Sequence, residues 1–268
     1  MINNIKIIRQ GAFTMMNIQN YVRAKSLEEA WELNQKKQNR ILGGMLWLRL
    51  CKGNINTAID LCDLGLDYIT ETDEEFSIGA MTTLRSIETH KGLNLFTKNA
   101  VSDAVKDIVG VQFRNMATVG GSLWGRYGFS DVLTVFLALD SYVELYKGGI
   151  IPLEIFATMK HDNDLLVRLI IKKTPCRIAY TSMRNQRTDF PVITCAVSLI
   201  NNEYRASIGA RPARAVIIRA DETVIAKDFA YIVAEKVTTA SNVRASAAYR
   251  THLIKALTER CVEEIGGM

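Results

Sequence analysis

No stretch of the chain approaches the roughly 18 consecutive apolar residues that a membrane helix needs; the longest candidate, residues 132–139, stops at Asp140. The opening MINNIKIIRQGAFTMM has neither a long apolar centre nor a small-residue cleavage site. No secretion signal is expected from it, and a cytoplasmic location is. Cysteine is sparse: Cys51, Cys62, Cys176, Cys195 and Cys261 form no C-x-x-C pair, which excludes zinc-ribbon and ferredoxin spacings. The three histidines stand far apart. H-E-x-x-H, G-x-S-x-G and G-x-x-x-x-G-K-[ST] are missing, so no metal site, nucleophile or nucleoside-triphosphate loop is evident. A strand–G-x-G-x-x-G–helix unit is also missing, which disfavours a Rossmann fold. Charge of one sign is never concentrated. The 33 Lys and Arg and 28 Asp and Glu are scattered over 268 residues, against the basic patch of a nucleic-acid binder. If this chain does redox work, a bound organic cofactor has to bring the chemistry.

What is present is ordinary globular composition, 48% hydrophobic and 23% charged, enough for one large domain or two modest ones. Ser26 and Glu29 make a capping-box pair ahead of an apolar stripe of Leu27, Ala30, Trp31 and Leu33, which predicts a helix. Ile41 and Leu42 read as a short buried strand entering Gly43-Gly44, and residues 76–80 as another. Residues 101–109 read as helical, and 113–122 as a loop holding a second pair, Gly120-Gly121. Asp131 reads as the N-cap of a helix through Ala138. The alternation over 142–146 predicts a strand, turned by Gly148-Gly149. Beyond residue 164 the pattern is strands over 165–171, 178–183 and 215–219, a hairpin about Asn201-Asn202, and helices over 229–235 and 246–265. Strands followed by helices suggest an α+β layer.

Paired glycines after buried strands allow backbone N–H groups to approach a ligand closely, and strings of such groups bind anions. Two pairs suit a diphosphate. Thr118 and Ser122 can add hydroxyls, Asp131 can accept from a sugar hydroxyl, and Arg126 can offer a cation. Read singly, each pair is equally a tight turn, Asp131 a cap, and Trp47, Trp124 and Tyr127 either packing or stacking on a ring.

The string FRNMATVGGSLWGRYGFSDVLTVFLALDSYVEL, residues 113–145, resembles the flavin-binding signature of the FAD subunits of molybdenum hydroxylases, the xanthine dehydrogenase and carbon monoxide dehydrogenase medium-chain family. SLEEAWELNQKKQNRILGG resembles that family's first helix and strand, TSMRNQRTDFPVITCAVSL the opening of its last domain, and RASAAYRTHLIKALTERCVEEI its closing helix. These matches are collinear from about residue 18. The resemblance implies an α+β protein. An N-terminal extension (1–17) precedes a two-subdomain FAD-binding domain of the vanillyl-alcohol-oxidase type (18–164, split near 70), and a C-terminal α+β domain of the CO dehydrogenase flavoprotein type (165–268) follows.

It also implies the site. The first diphosphate loop falls on Arg40, Ile41, Leu42, Gly43, Gly44, Met45, Leu46 and Trp47. The second falls on Thr118, Val119, Gly120, Gly121 and Ser122, the acceptor for the sugar alcohol on Asp131, and flavin-side positions on Leu166 and Thr181. Met45-Leu46 departs from the family's usual Thr-Asp, and no proline precedes Ser130-Asp131. The implied role is electron transfer through FAD, from an iron–sulfur subunit to NAD or another acceptor, with substrate hydroxylated on a molybdopterin subunit. The alternatives are a flavin-free scaffold subunit and a free-standing flavin oxidoreductase of the same fold.

Overall fold

The computed structural model describes residues 16–266. Most of the expected N-terminal extension therefore lies outside the described residues, and Asn17 already opens the first strand. Three sheets follow one another along the chain.

The first is built from β1 (Asn17–Arg23), α1 (Leu27–Asn34), β2 (Arg40–Leu42) and β3 (Asn54–Asp60). Its order is β1-β3-β2, parallel throughout. Helix α1 starts as expected, with the Ser26 hydroxyl accepting from Glu29 N and the Glu29 carboxylate accepting from Lys25 N at 2.8 Å. Neither β1 nor β3 was expected. NIQNYVR and NINTAID are rich in residues that strands disfavour, and β3 owes its existence to central pairing on both edges.

The second unit comprises β4 (Ile69–Glu71), β5 (Glu75–Gly79), α2 (Leu84–Thr89), α3 (Lys91–Phe96), α4 (Ala100–Val105), α5 (Val111–Arg114), α6 (Val119–Gly125), α7 (Asp131–Leu137), β6 (Ser141–Leu145), β7 (Gly149–Pro152), α8 (Leu153–Thr158) and β8 (Leu166–Lys172). Its antiparallel sheet runs β4-β5-β8-β6-β7. The expected boundary after residue 164 cuts β8 away from this sheet, whose middle position it holds between β5 and β6. By sheet membership the divide falls between Lys172 and Cys176. The helix expected over 101–109 stops at Val105, and Val109 has φ +51°, a left-handed conformation rare for a β-branched residue.

The third unit is β9 (Cys176–Arg184), β10 (Pro191–Ile200), β11 (Glu203–Gly209), β12 (Val216–Asp221), α9 (Ala226–Lys236) and α10 (Ala247–Glu264). Its strands are antiparallel, and Asn201 (φ 50°) and Asn202 (φ 62°) make the expected primed turn. One sheet face, with Ala179, Cys195 and Val197, packs against α9 and α10. The other, with Ile178, Tyr180 and Ala196, joins the core of the second unit.

Helix α7 is the joint between those two units, and all seven of its residues are buried. Its cap is Ser130, whose hydroxyl accepts from Leu133 N at 3.0 Å; Asp131, expected as the cap, is the first residue inside. One face of the helix repeats at 131, 134 and 138. Asp131 bonds Tyr180 and Arg184, the Thr134 and Thr194 hydroxyls meet at 2.9 Å, and Ser198 donates to the Ala138 carbonyl. Among the described residues no helix is long and apolar enough to cross a membrane.

Candidate functional site

A cleft of about 910 Å³ opens where the three sheets meet, within the 300–1,000 Å³ typical of small-molecule and cofactor sites. Every residue from Arg40 to Trp47 lines it, as do Thr118, Gly120, Gly121, Ser122, Asp131 and Leu166. Two expected positions are not on its wall. Val119 lies beneath it in the core, its N–H donating to Thr82 O at 2.8 Å. Thr181 pairs with Cys195 and alternates with Tyr180 and Ser182. It therefore points to the α9/α10 face of the sheet, away from the cleft. The flavin-side expectation for Thr181 is corrected accordingly: the side chains β9 turns towards α7 and the cleft are Tyr180 and Arg184.

The two glycine pairs turn out to be unlike. In the first, the N–H groups of Gly43, Gly44, Met45, Leu46 and Trp47 have no protein acceptor among the described residues. Buried or half-buried N–H groups are seldom left so, and five in succession along a loop make a ready anion site. The second pair is not in the expected loop. It forms the first turn of α6, with Thr118 as N-cap. There the N–H groups are spent: Gly120 on Ala80 O at 2.8 Å, Gly121 on the Thr118 hydroxyl at 3.1 Å, and Ser122 on Thr118 O at 3.0 Å. Ser122 also spends its hydroxyl hydrogen on Thr118 O. The Thr118 hydroxyl only accepts in that turn, so its hydrogen is available to a ligand.

Within each pair one glycine packs and the other opens. A Cβ on Gly44 would stand 1.8 Å from Met116 O, and one on Gly120 2.6 Å from Ala80 O. Those two allow the backbones to touch. Gly43 and Gly121 face each other, a Cβ on Gly43 reaching 3.9 Å from Gly121 Cα. That leaves a shallow cradle at the N–H row, floored by the Thr118 hydroxyl, which lies 2.9 Å from a Cβ on Gly43 and 3.0 Å from one on Gly121.

Met45 and Leu46, in place of the Thr-Asp of the resembling family, turn inward. Met45, at φ +61°, packs with Leu42, Ile55 and Ala58, and Leu46 enters the core of the second unit. The loop loses a hydroxyl and a carboxylate and gains two apolar anchors. Arg126 supplies no cation. It is buried, donates to Met159 O at 2.9 Å and lies 4.0 Å over the Phe156 ring. Burial, then Arg214, lowers its pKa. The cations on the cleft wall are Lys37, Arg40 and Arg184. His161 is also there, its pKa lowered by burial and by Arg126 and Arg214, so at neutral pH it adds no charge.

Sequence reasoning missed an aromatic wall. Trp47 contacts Tyr127, Phe129 and Phe190 at 5.8, 5.3 and 5.6 Å between centroids, and Phe129 meets Phe190 at 4.6 Å. These rings join the first glycine loop to the α6–α7 connection and to the β9–β10 loop. Trp47 and Tyr127 were open between packing and stacking; they pack on each other while still lining the cleft. Asp131 is closed in between the second and third units. Tyr180 and Arg184 both donate to its Oδ1, and Oδ2 has no bond from another residue among those described. Burial raises the Asp131 carboxyl, with Arg184 and Tyr180 opposing, and holds the Tyr180 phenol well above its usual range.

The sequence profile described as the FAD binding domain in molybdopterin dehydrogenase matches residues 14–174. The chain belongs to that family. This FAD-binding family member is 27% identical over 190 residues to the uncharacterized protein YgfM of Escherichia coli K12, covering 69% of this chain and 71% of that one. It is 26% identical over 272 residues to the 6-hydroxypseudooxynicotine dehydrogenase complex subunit alpha of Paenarthrobacter nicotinovorans, covering 90% and 92%. Its fold matches a carbon monoxide dehydrogenase chain from Hydrogenophaga pseudoflava with a TM-score of 0.80 at 19% identity, covering 91% of this chain and 96% of that one. The expected α+β fold, flavin cofactor and oxidoreductase-subunit character are those of the family.

Proposed function

We propose that this chain binds one FAD non-covalently in the cleft and acts as the flavin electron-transfer subunit of a cytoplasmic, molybdenum-dependent hydroxylase or dehydrogenase complex. The single observation that carries the reading is the row of N–H groups from Gly43 to Trp47, without protein acceptors among the described residues and set over the Gly43–Gly121 cradle. A diphosphate is an anion of the right size for such a row. The Thr118 hydroxyl stands beside it as a further donor. In this reading Asp131 Oδ2 accepts from a sugar-alcohol hydroxyl and Leu166 adds an apolar wall; both residues line the cleft.

When bound, the flavin supplies the conversion between two-electron and one-electron transfer. The chain's part is to hold, orient and desolvate. In this reading an iron–sulfur subunit delivers the electrons, NAD or another acceptor removes them, and a molybdopterin subunit hydroxylates the substrate. The family membership and the relative described as a complex subunit support that division of labour.

The test is to denature the purified chain, after reconstitution with excess flavin, and weigh the released cofactor. FAD at one per chain is expected. Release of FMN, or of no flavin, defeats the reading.

A further inference from the structure

Arg184 closes β9 at the point where the C-terminal sheet meets the cleft. Its side chain is only 7% exposed, yet it forms cleft wall beside Asp131, Phe190 and Pro191. A guanidinium has five N–H donors. Among the described residues two are used, Nη2 on Asp131 Oδ1 and Nη1 on the Asp189 carbonyl, each at 2.5 Å. Nε is buried with no partner. A buried cation with unspent donors is costly unless another group completes it. Its ion-pair partner Asp131 shares Oδ1 with the Tyr180 hydroxyl, and Asp107 is a more distant carboxylate that also favours the charged guanidinium. Arg184 is thus held by Asp131 and the Asp189 carbonyl and keeps donors that no described residue satisfies.

We infer that Arg184 faces the flavin and favours its reduced, more negative form, with Asp131 as the positioning residue that holds the guanidinium and offsets its charge. This rests on the reading that the cleft holds FAD. The diphosphate has its own donors along residues 43–47. The flavin is the part of that cofactor whose charge changes on reduction. A fixed cation beside it favours reduction and a fixed anion opposes it. The two residues must therefore act with opposite sign, which a purely structural ion pair does not do.

The experiment uses the full chain reconstituted with FAD. The ratio of dissociation constants for oxidised and reduced flavin and the midpoint potential are measured in wild type, Arg184→Gln, Arg184→Lys and Asp131→Asn. Arg184→Gln is expected to lower the preference for reduced flavin at least tenfold, about 30 mV for a two-electron couple. Asp131→Asn is expected to raise it by a similar factor, and Arg184→Lys, which keeps the charge, to stay within threefold of wild type. Unchanged potentials in Arg184→Gln and Asp131→Asn, or shifts of one sign in both, overturn the inference. Equal weakening of oxidised and reduced flavin, which would place Arg184 on the diphosphate, does so too. If Arg184→Gln does not fold, Asp131→Asn decides alone: no upward shift overturns the inference. Failure of the wild-type chain to take up FAD overturns the cofactor reading, and this inference with it.

Discussion

Glycine appears twice in each signature pair, and the two copies do different work. Gly44 lets its loop lie against Met116 O, a neighbour 72 residues along the chain. A methyl group there must displace backbone, and overpacking of this kind costs about 1–3 kcal/mol. Gly44→Ala is expected to lower apo-protein stability by that amount in denaturant unfolding. Gly121→Ala meets only the Thr118 hydroxyl of its own turn, at 3.0 Å. It is expected to cost under 1 kcal/mol of stability and to weaken FAD binding instead. A drop in stability as large as that of Gly44→Ala would mean that Gly121 is a packing glycine as well. The pairs themselves were legible in the sequence, but the partition within them was not, because it depends on which distant carbonyl lies opposite. The same holds for Arg126. Its place beside the second loop suggests a phosphate contact, whereas at φ +45° it turns away over Phe156.

At the scale of elements, α7 carries most of the consequence. Its cap and its carboxylate are adjacent residues with separable roles. Ser130 caps, so Ser130→Ala is expected to cost about 1 kcal/mol of stability and to leave FAD affinity within a few fold. Asp131 belongs to an ion pair whose side chains are 4% and 7% exposed. Removing one partner of such a pair strands a buried charge and typically costs about 3–5 kcal/mol. Asp131→Ala should therefore destabilise severely, and Arg184→Met combined with it should recover part of the loss. Thermal or denaturant unfolding of the two single variants and the double reads this directly, and strict additivity would remove the ion pair from the account. Capping chemistry and alternation made α1, the β6–β7 hairpin and the Asn201-Asn202 turn legible, and amphipathic spacing did so for α10. Strands β1 and β3 were not, since Asn, Gln and Asp conceal their period, and pairing with distant neighbours makes them strands. Likewise β8 reads as the first strand of a new domain, and only its partners β5 and β6 show where it belongs.

At the scale of the whole molecule, the cleft is shared property: the first sheet gives the N–H row, the second unit the cradle and Asp131, and the third Arg184 and the aromatic Phe190. A ligand touching all three must stabilise all three together. At a hundredfold excess over its dissociation constant, a ligand that binds only the folded chain adds about 2.7 kcal/mol. For a chain of this size each kcal/mol raises the unfolding temperature by roughly 2–4 °C. The expected shift with saturating FAD is thus about 5–10 °C. It should appear alike in tryptophan emission, which Trp31, Trp47 and Trp124 report from the first two units, and in far-ultraviolet dichroism, to which α9 and α10 contribute. FMN lacks the adenosine-bearing phosphate and should give less than half of that shift at equal concentration. If FAD moves the tryptophan signal while the dichroism keeps a second, unshifted transition, the C-terminal unit does not share in binding. In that case the wall formed by Arg184 and Phe190 is not part of the cofactor site. If both signals move together, the three sheets act as one binding body, and the Asp131–Arg184 pair at their junction is the place to break that coupling.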